Sequence, residues 1–389
     1  MLVSKRGAMI VAAVTLNGIA GVQVQSPTSL TRWSLATTPT VLLGDGSSAA
    51  EEFDRITDAV RTPTGEIVVG DGATRELRVF SAAGAHLRTL SRSGEGPGEF
   101  RSLGPMSAAG DSLYVIERPP GPSLLHLFTA SAGFVRRVRL RATNDRVGFS
   151  GIARLANGAL LVSRGGMRVV TPPPVGALAR DSMTLGLLDP AKESVLWLGT
   201  FPGNTWLGYA LPPGSAAVSQ SLTRFPFGSS IVYAAAGNRV WIGNSENGVI
   251  QIFDAMGEPV GTTQAPVRAR QLSREALEQS RSQTLASAMD PVAKARISAV
   301  YSQAARGGAA PYFSRFVPGP NDELWIESFQ EAESAQTAVI VLDRAGAPLA
   351  TLDLPPRATL LQAGTDYVLV MQRDRDDLET VAMYQVRRR

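Results

Sequence analysis

Short apolar stretches separated by turn residues recur along the chain, and one complete unit lies between residues 56 and 90. An apolar stretch at Ile56–Val60 leads into a Pro-Thr-Gly turn, and further stretches follow at Glu66–Asp71, Glu76–Phe80 and His86–Leu90. Stretches of five or six residues bounded by such residues are typical of β-strands joined by tight turns. The unit therefore predicts one four-stranded antiparallel sheet.

The same order of elements recurs five more times. The apolar second strand is predicted at Leu113–Ile116, Leu160–Val162, Val240–Ile242, Leu324–Ile326 and Tyr367–Val370. The third strand is predicted at Leu125–Phe128, Thr184–Leu188, Val249–Phe253, Ala338–Leu342 and Val381–Val386. Five units also carry an aromatic residue ahead of the first turn, expected to wedge between sheets: Phe53, Phe100, Phe149, Phe227 and Phe313. Six units of four strands predict an all-β fold, a six-bladed β-propeller with four-stranded antiparallel blades.

The two ends of the chain are predicted to share one blade. The sixth unit holds only three strands, from Thr359 to Arg387, whereas Trp33–Leu43 reads as a strand without a unit of its own. We expect this N-terminal strand to complete the last blade and close the ring, since closure removes exposed strand edges. The propeller would then occupy residues 31–389.

Two spacings between the repeated turns are longer than the others. The first contains a Pro- and Gly-rich stretch, Phe201–Gly214, which predicts an irregular loop. The second contains a predicted helical hairpin over residues 272–306, between the fourth and fifth blades, with Ser273 and Asp290 as caps. A hairpin in a connection between blades lies on the face that usually binds ligands. We favour simple packing onto the propeller over a role as a lid or docking element.

The N-terminus predicts a secretory signal peptide over residues 1–22. Lys5 and Arg6 precede an apolar run from Ala8 to Ala20 that ends in small residues. This run is short for a membrane span, which needs roughly 20 residues, although an uncleaved anchor is the alternative. We therefore expect a periplasmic or secreted protein with no membrane span in the mature chain.

Composition and charge narrow the classes of function. The 389 residues include no Cys, which excludes disulfides and thiolate chemistry. There are 38 Lys and Arg against 34 Asp and Glu, a net charge of +4. Lys5 and Arg6 lie in the predicted leader and Arg387–Arg389 end the chain; without those five, 33 basic residues face 34 acidic ones. A nearly neutral body predicts no nucleic-acid partner, and we expect a monomer.

The chain resembles the bacterial NHL-like six-bladed β-propeller proteins. The segment Gly94–Phe100 is similar to a connector between blades in that group, and Glu66–Asp71, Leu77–Phe80 and Ala83-Gly84 are similar to its repeat. The resemblance covers residues 31–389. It implies the fold and an exported location, but no activity, because one propeller fold serves unrelated functions.

Polar residues that follow the second strands are the candidate ligand-binding residues. We expect them on the ligand face, near the central channel. They are Asp71, Arg75, Glu117, Arg118, Arg164, Asn244, Glu246, Glu327 and Arg373. Positively and negatively charged side chains together suit a small polar ligand or a protein partner. The alternative, which we favour, is that these residues form ordinary ion pairs lining a water-filled channel and bind no ligand.

No catalytic arrangement is recognisable in the sequence. Gly94–Gly98 lacks the Gly-Lys-Ser/Thr that completes a phosphate loop. His86 opens the outer strand of the first blade and His126 lies in a third strand, so neither is expected at the channel mouth. Two histidines are also too few for a propeller lyase with several zinc-bound histidines. We therefore expect an exported, non-catalytic scaffold for a ligand or protein, with no cofactor.

The alternative is a metal-dependent enzyme of the lactonase or lyase type. Ca²⁺ and Mg²⁺ take oxygen ligands, so such a site needs neither Cys nor His. Its candidate ligands are Glu117, Asn244, Glu246 and Glu327.

Overall fold

The repeated strands form antiparallel sheets in the computed structural model. It describes residues 30–46, 51–117, 123–129, 133–143, 150–165, 173–214, 220–286, 288–331 and 336–388. The predicted leader at residues 1–22 and the predicted wedge Phe149 lie outside the described residues.

The first half of the described chain contains eighteen strands. Three short ones come first: β1 (Thr31–Arg32), β2 (Ser34–Leu35) and β3 (Val41–Leu43). The first sheet contains β4 (Ile56–Arg61), β5 (Ile67–Asp71), β6 (Glu76–Phe80) and β7 (His86–Thr89), and a connector with β8 (Arg92–Ser93) and β9 (Glu99–Phe100) follows it. The second sheet contains β10 (Met106–Ala109), β11 (Ser112–Glu117), β12 (Leu124–Thr129) and β13 (Gly133–Arg139). The third contains β14 (Ser150–Arg154), β15 (Leu160–Gly165), β16 (Leu178–Asp189), β17 (Ser194–Ala210) and β18 (Gln220–Arg224).

The second half contains three more sheets and two helices. The fourth sheet contains β19 (Ile231–Ala236), β20 (Arg239–Asn244), β21 (Val249–Asp254) and β22 (Pro259–Gln264). Helices α1 (Arg274–Ala286) and α2 (Pro291–Ala304) come next. The fifth sheet contains β23 (Phe313–Pro318), β24 (Leu324–Ser328), β25 (Ala338–Leu342) and β26 (Pro348–Asp353). The sixth contains β27 (Ala358–Ala363), β28 (Tyr367–Arg373) and β29 (Glu379–Arg387). The predicted second and third strands lie within observed ones, except that Glu66 precedes β5.

The sheets form a ring, so the fold is a β-propeller. The first strands of neighbouring sheets contact one another in the order β4, β10, β14, β19, β23, β27, and β27 contacts β4 again. Residues from all six first strands line one central channel of about 220 Å³. Phe53, Phe100 and Phe313 are buried between neighbouring sheets, as expected. Phe227 is also buried, but it packs against the helical hairpin and is not a wedge between sheets.

The third sheet departs from the predicted pattern. The Pro- and Gly-rich stretch was expected to be an irregular loop, but Phe201–Ala210 belongs to the 17-residue strand β17. The pairing of β16 with β17 shifts register between Arg180 and Ser182 and between Leu185 and Gly186. Such bulges accommodate Gly and Pro within a strand. The β16–β17 hairpin therefore extends beyond the rest of the third sheet, and β18 pairs with the C-terminal part of β17.

The chain termini lie together, although the N-terminal strand is broken in two. Both β2 and β3 pair antiparallel with β29, the last strand of the chain. In addition, β1 pairs parallel with β26 of the fifth sheet. Arg388 lies 4.4 Å from the ring centre of Trp33 and forms a 2.8 Å ion pair with Glu323. The two termini and the fifth sheet are thus tied to one another.

Side chains of one sheet bind the backbone of the next sheet's first strand. The N–H groups of Met106 and Gly151 donate to Asp58 and Ser123 over 2.8 and 3.4 Å. In the same way, Leu360 N–H donates to Glu327. Ile56 N–H donates to Glu379, which joins the sixth sheet to the first. These bonds satisfy backbone donors that have no partner in their own sheet.

The connector before the second sheet owes its shape to glycines. Gly94 and Gly96 surround the side chain of Glu99, which accepts a 2.8 Å hydrogen bond from Gly96 N–H. A Cβ at Gly94 would lie 2.0 Å from a Glu99 carboxylate oxygen, so a larger residue would displace the Glu99 side chain. The connector is therefore a structural turn, not a phosphate loop.

The helical hairpin lies where the sequence predicts it, between β22 and β23. Asp290 accepts a 2.8 Å hydrogen bond from Ala293 N–H and caps α2, with Pro291 at the first helical position. Ser273 accepts from Ala276 N–H at the start of α1. Neither of these helices, the two in the described residues, is long and apolar enough to cross a membrane.

A histidine–glutamate pair is buried in the second sheet. His126 Nε2 lies 2.9 Å from Glu117, and both side chains are almost wholly enclosed, at 0% and 1% exposure. The ring of Phe100 lies over His126 with 4.3 Å between centres. Burial lowers the pKa of His126 and outweighs the hydrogen bond that its imidazole donates to Glu117, which raises that pKa.

Deletion of residues 31–43 is expected to destabilise the whole domain, because it removes the strands that pair with β29 and with β26. Thermal unfolding followed by circular dichroism should show a large fall in the midpoint. Deletion of residues 388–389 alone leaves the paired strands in place and should have a smaller effect. A transition unchanged by the 31–43 deletion would contradict this account.

Arg388→Gln should lower the free energy of unfolding by about 1–2 kcal/mol, because it removes both the ion pair with Glu323 and the stacking on Trp33. Arg387→Gln is the matched control, since Arg387 is exposed. Its effect should stay within about 0.5 kcal/mol. Urea unfolding measures the free energy of unfolding of both variants. Equal losses would contradict a stabilising role of the Arg388 contacts with Glu323 and Trp33.

His126 should make the protein less stable in mild acid. Its folded-state pKa is lowered, so its contribution is fully present above the unfolded value of about 6.5 and is lost as the pH falls through the folded value. His126→Gln does not titrate and should flatten the fall in unfolding free energy between about pH 7 and 5. The exposed His86→Gln is the control and should keep the wild-type slope. If the unfolding free energy of His126→Gln falls with pH as steeply as that of the wild type, His126 is not the cause of the loss of stability in acid.

Candidate functional site

A cavity of about 540 Å³ lies beneath the helical hairpin. One side is formed by the ends of the second strands of the fifth and sixth sheets, at Glu327–Phe329 and Met371–Arg373. The opposite side is formed by α1 and α2 together with the stretch after β18, through Phe227. The cavity is therefore on the face that carries the connections between sheets, where the first residues of β23 and β27, at Ser314 and Ala358, also line it.

An apolar cluster holds the hairpin in place over this cavity. Leu277 of α1 and Ile297 of α2 are buried in one cluster with Leu207 from the long strand β17. Tyr301 packs edge-on against Phe227, with 5.4 Å between ring centres. The unexpected length of β17 thus provides the surface on which the helices rest.

Arginine dominates the charge around the cavity. Four arginines line it, against two glutamates: Arg224, Arg296, Arg357, Arg373, Glu327 and Glu331. Arg357 forms an ion pair with Asp377, and Arg373 forms one with Glu379 over 2.8 Å.

The other two arginines, Arg224 on β18 and Arg296 on α2, are exposed. Within the described part of the chain neither guanidinium has an ion-pair or hydrogen-bond partner. A guanidinium is always charged and offers five donors, so these two groups are available to an anion.

Glu327 is the buried carboxyl group of the site. It is 5% exposed, and one of its oxygens accepts the hydrogen bond from Leu360 N–H. Burial raises the pKa of Glu327, although Arg315, with its Nε 3.6 Å from the other oxygen, opposes this shift. A partly compensated carboxyl at the inner end of a cavity is suited to accept a hydrogen bond from a ligand.

Hydroxyl groups cover the helical wall of the cavity. The Tyr301 hydroxyl lies 2.6 Å from Ser280 Oγ and 3.1 Å from Thr284 Oγ1. All three residues line the cavity. Because each hydroxyl can both donate and accept, this wall can adapt to several polar groups.

Of the residues singled out from the sequence, the structure brings Glu327 and Arg373 together in this cavity. Glu246 lies on a smaller neighbouring cavity of about 370 Å³. Glu246 and Asn244 are both bound by Arg180, at 2.5 and 3.5 Å. Arg118 lies outside the described residues.

The remaining candidates are engaged in their own sheets. Asp71 is buried and accepts hydrogen bonds from Ala73 N–H and Thr74 N–H, while Arg75 donates to Ser93. Glu117 is held by His126 and Arg101, and Arg164 lies 4.6 Å from the ring centre of Trp197. Among the described candidates none lines the central channel, where the first strands supply the side chains instead.

The four suggested metal ligands are not assembled into one site. Glu117 belongs to the second sheet, Asn244 and Glu246 to the fourth, and Glu327 to the fifth. In the part of the chain that is described, no group of three or more His, Asp or Glu is placed to hold a metal ion.

Sequence reasoning missed the arginines and hydroxyls of the cavity. Arg224, Arg296, Ser280, Thr284 and Tyr301 all lie in the two long insertions, outside the repeat from which the candidates were chosen. The available signal was the predicted position of the hairpin on the connection face.

No protein-family profile matches the chain, and no curated protein matches its sequence. Solved structures do match. The chain is similar to a member of the DUF4221 family from Bacteroides vulgatus, with 7% identity, a TM-score of 0.51 and coverage of 93% of this chain and 100% of the other. It is also similar to a predicted exported protein from Bacteroides fragilis, with 12% identity, a TM-score of 0.49 and coverage of 94% and 98%.

A third similar structure is the calcium-binding protein regucalcin from Agrobacterium tumefaciens. The identity is 12%, the TM-score 0.42, and the coverage 92% of this chain and 97% of the other. At such low identity structural likeness concerns the fold alone. The likeness to the DUF4221 protein spans 93% of this chain, and it assigns neither ligand nor reaction.

Proposed function

We propose that this protein is an exported, six-bladed, NHL-like β-propeller that binds a small anionic ligand without catalysing its conversion. The ligand site is the cavity between the helical hairpin and the propeller face. The propeller supplies the floor, and β18 and the hairpin supply the two arginines that have no partner in the described part of the chain.

Six blades and an exported location rest on separate observations. The closed order of contacts among the first strands and the single channel that they line support six blades. The charged start, short apolar run and small residues at the N-terminus support export. The connector at Gly94–Phe100 supports the NHL-like assignment.

The pair of unpartnered arginines, Arg224 and Arg296, carries the proposal of an anionic ligand. They come from a strand and a helix that are far apart in sequence, and they line the same cavity. Both guanidiniums are charged, and an anion in the cavity would accept charge-assisted hydrogen bonds from them without breaking an ion pair in the described part of the chain. The cavity volume of about 540 Å³ lies within the range for small-molecule sites.

A binding role accounts for this arrangement without any reactive group. The hydroxyls of the helical wall bond one another, and both histidines lie in other parts of the molecule. A metal-dependent lactonase or lyase is the competing hypothesis, and it would require Ca²⁺ or Mg²⁺ to recruit oxygen ligands that are now in separate sheets.

Small anions should raise the thermal unfolding midpoint, because a ligand that binds only the folded state stabilises it by mass action. Differential scanning fluorimetry with phosphate, sulfate, acetate, citrate and sugar acids, against neutral and cationic compounds, should detect this shift. Arg224→Gln and Arg296→Gln should each weaken anion binding about tenfold. Arg344→Gln is the control, since Arg344 is exposed in the turn between β25 and β26, on the opposite face.

Two results would overturn the proposal. One is an absence of stabilisation by every anion, and the other is stabilisation that survives in the double variant of Arg224 and Arg296. Lactone or ester turnover that EDTA abolishes and Ca²⁺ restores would favour the metal-dependent enzyme instead.

A further inference from the structure

The polar groups of the cavity are ordered from its mouth to its floor. At the mouth, the exposed Arg224 and Arg296 offer positive charge. At the floor, the buried Glu327 offers a carboxyl group. A ligand with an anionic group at one end and hydrogen-bond donors at the other would therefore match both groups.

The walls between these ends are lined by hydroxyls and aromatic rings. Ser280, Thr284 and Tyr301 form the hydroxyl cluster, and Phe227 and Phe329 line the same cavity. Hydroxyls match other hydroxyls because each group can donate and accept. Aromatic rings match the apolar C–H faces of a ring-shaped ligand.

Arg315 determines which kind of donor suits Glu327. Its Nε lies 3.6 Å from the Glu327 carboxylate, so a positive charge already faces this group. An ammonium group on the ligand would meet the repulsion of that guanidinium, whereas a neutral hydroxyl would not. The floor therefore selects hydroxyl groups over amines.

We propose that the ligand is a hydroxylated anion of the sugar-acid or sugar-phosphate type, with its charged group at Arg224 and Arg296 and its hydroxyls at Glu327 and the Ser280–Thr284–Tyr301 cluster. This inference rests on the proposed anion-binding function and adds the class of ligand. It predicts that affinity depends on both ends of the molecule.

Isothermal titration calorimetry of the full chain tests the inference with five probes: glucuronate, glucose 6-phosphate, glucose, acetate and inorganic phosphate. Glucuronate should bind at least about tenfold more tightly than acetate or glucose, because only it uses both ends of the cavity. Glucose 6-phosphate should exceed inorganic phosphate by a similar factor. Comparison of the two sugar anions identifies the preferred charged group.

Two conservative variants separate recognition of hydroxyls from folding. Tyr301→Phe keeps the ring that packs on Phe227 and removes the hydroxyl that bonds Ser280. Glu327→Gln keeps an oxygen that can accept from Leu360 N–H. Each should lower the ratio of glucuronate to acetate affinity several-fold, while Arg344→Gln should leave that ratio at its wild-type value.

The outcomes distinguish the two levels of the argument. If acetate and phosphate bind as tightly as the sugar anions, or if both variants keep the wild-type ratio, the ligand class is wrong and the anion site stands. If no anion binds at all, the proposed function is also wrong.

Discussion

The fold depends on hydrogen bonds that cross from one sheet to the first strand of the next. A first strand has an edge without a partner in its own sheet, and its N–H groups need acceptors. Glu327 and Glu379 provide them at two junctions, and Asp58 and Ser123 do so at two others. A buried donor left without its acceptor costs about 1–3 kcal/mol. The Glu379–Ile56 bond matters most for closure, since it joins the last sheet to the first.

The same requirement places a carboxyl group at the floor of the candidate site. Glu327 must be buried to reach Leu360 N–H, and burial is also the main cause of its raised pKa. One oxygen is used by the fold, while the residue still lines the cavity. Glu327 therefore serves both the fold and the candidate site. Its role in ligand binding should be tested with variants that keep an acceptor for Leu360 N–H.

The sequence predicted the sheets well because each strand is bounded by its own local signals. Leu324–Ile326 and Ala338–Leu342 were placed correctly, as was the hairpin that Asp290 caps. The stretch after Phe201 was misread, since Pro and Gly in a bulged strand look like loop residues. The site itself could not be predicted, because Arg224 and Arg296 line one cavity only through the packing of α2 on the extended strand β17. No pattern within either segment indicates that shared cavity.

The contacts made by the candidate ligand-binding residues of the repeat explain why a site would form outside the repeat. Asp71 lies at the end of a second strand and accepts hydrogen bonds from backbone N–H groups of its own turn. Glu117 is paired with His126 and Arg101. Residues at these repeated positions satisfy the turns that hold each sheet together, so few of them are available for a ligand. The side chains of a hairpin inserted between sheets are not needed to stabilise the turns of a sheet. Its polar side chains can therefore face a cavity, while its apolar side chains pack against Leu207 of β17.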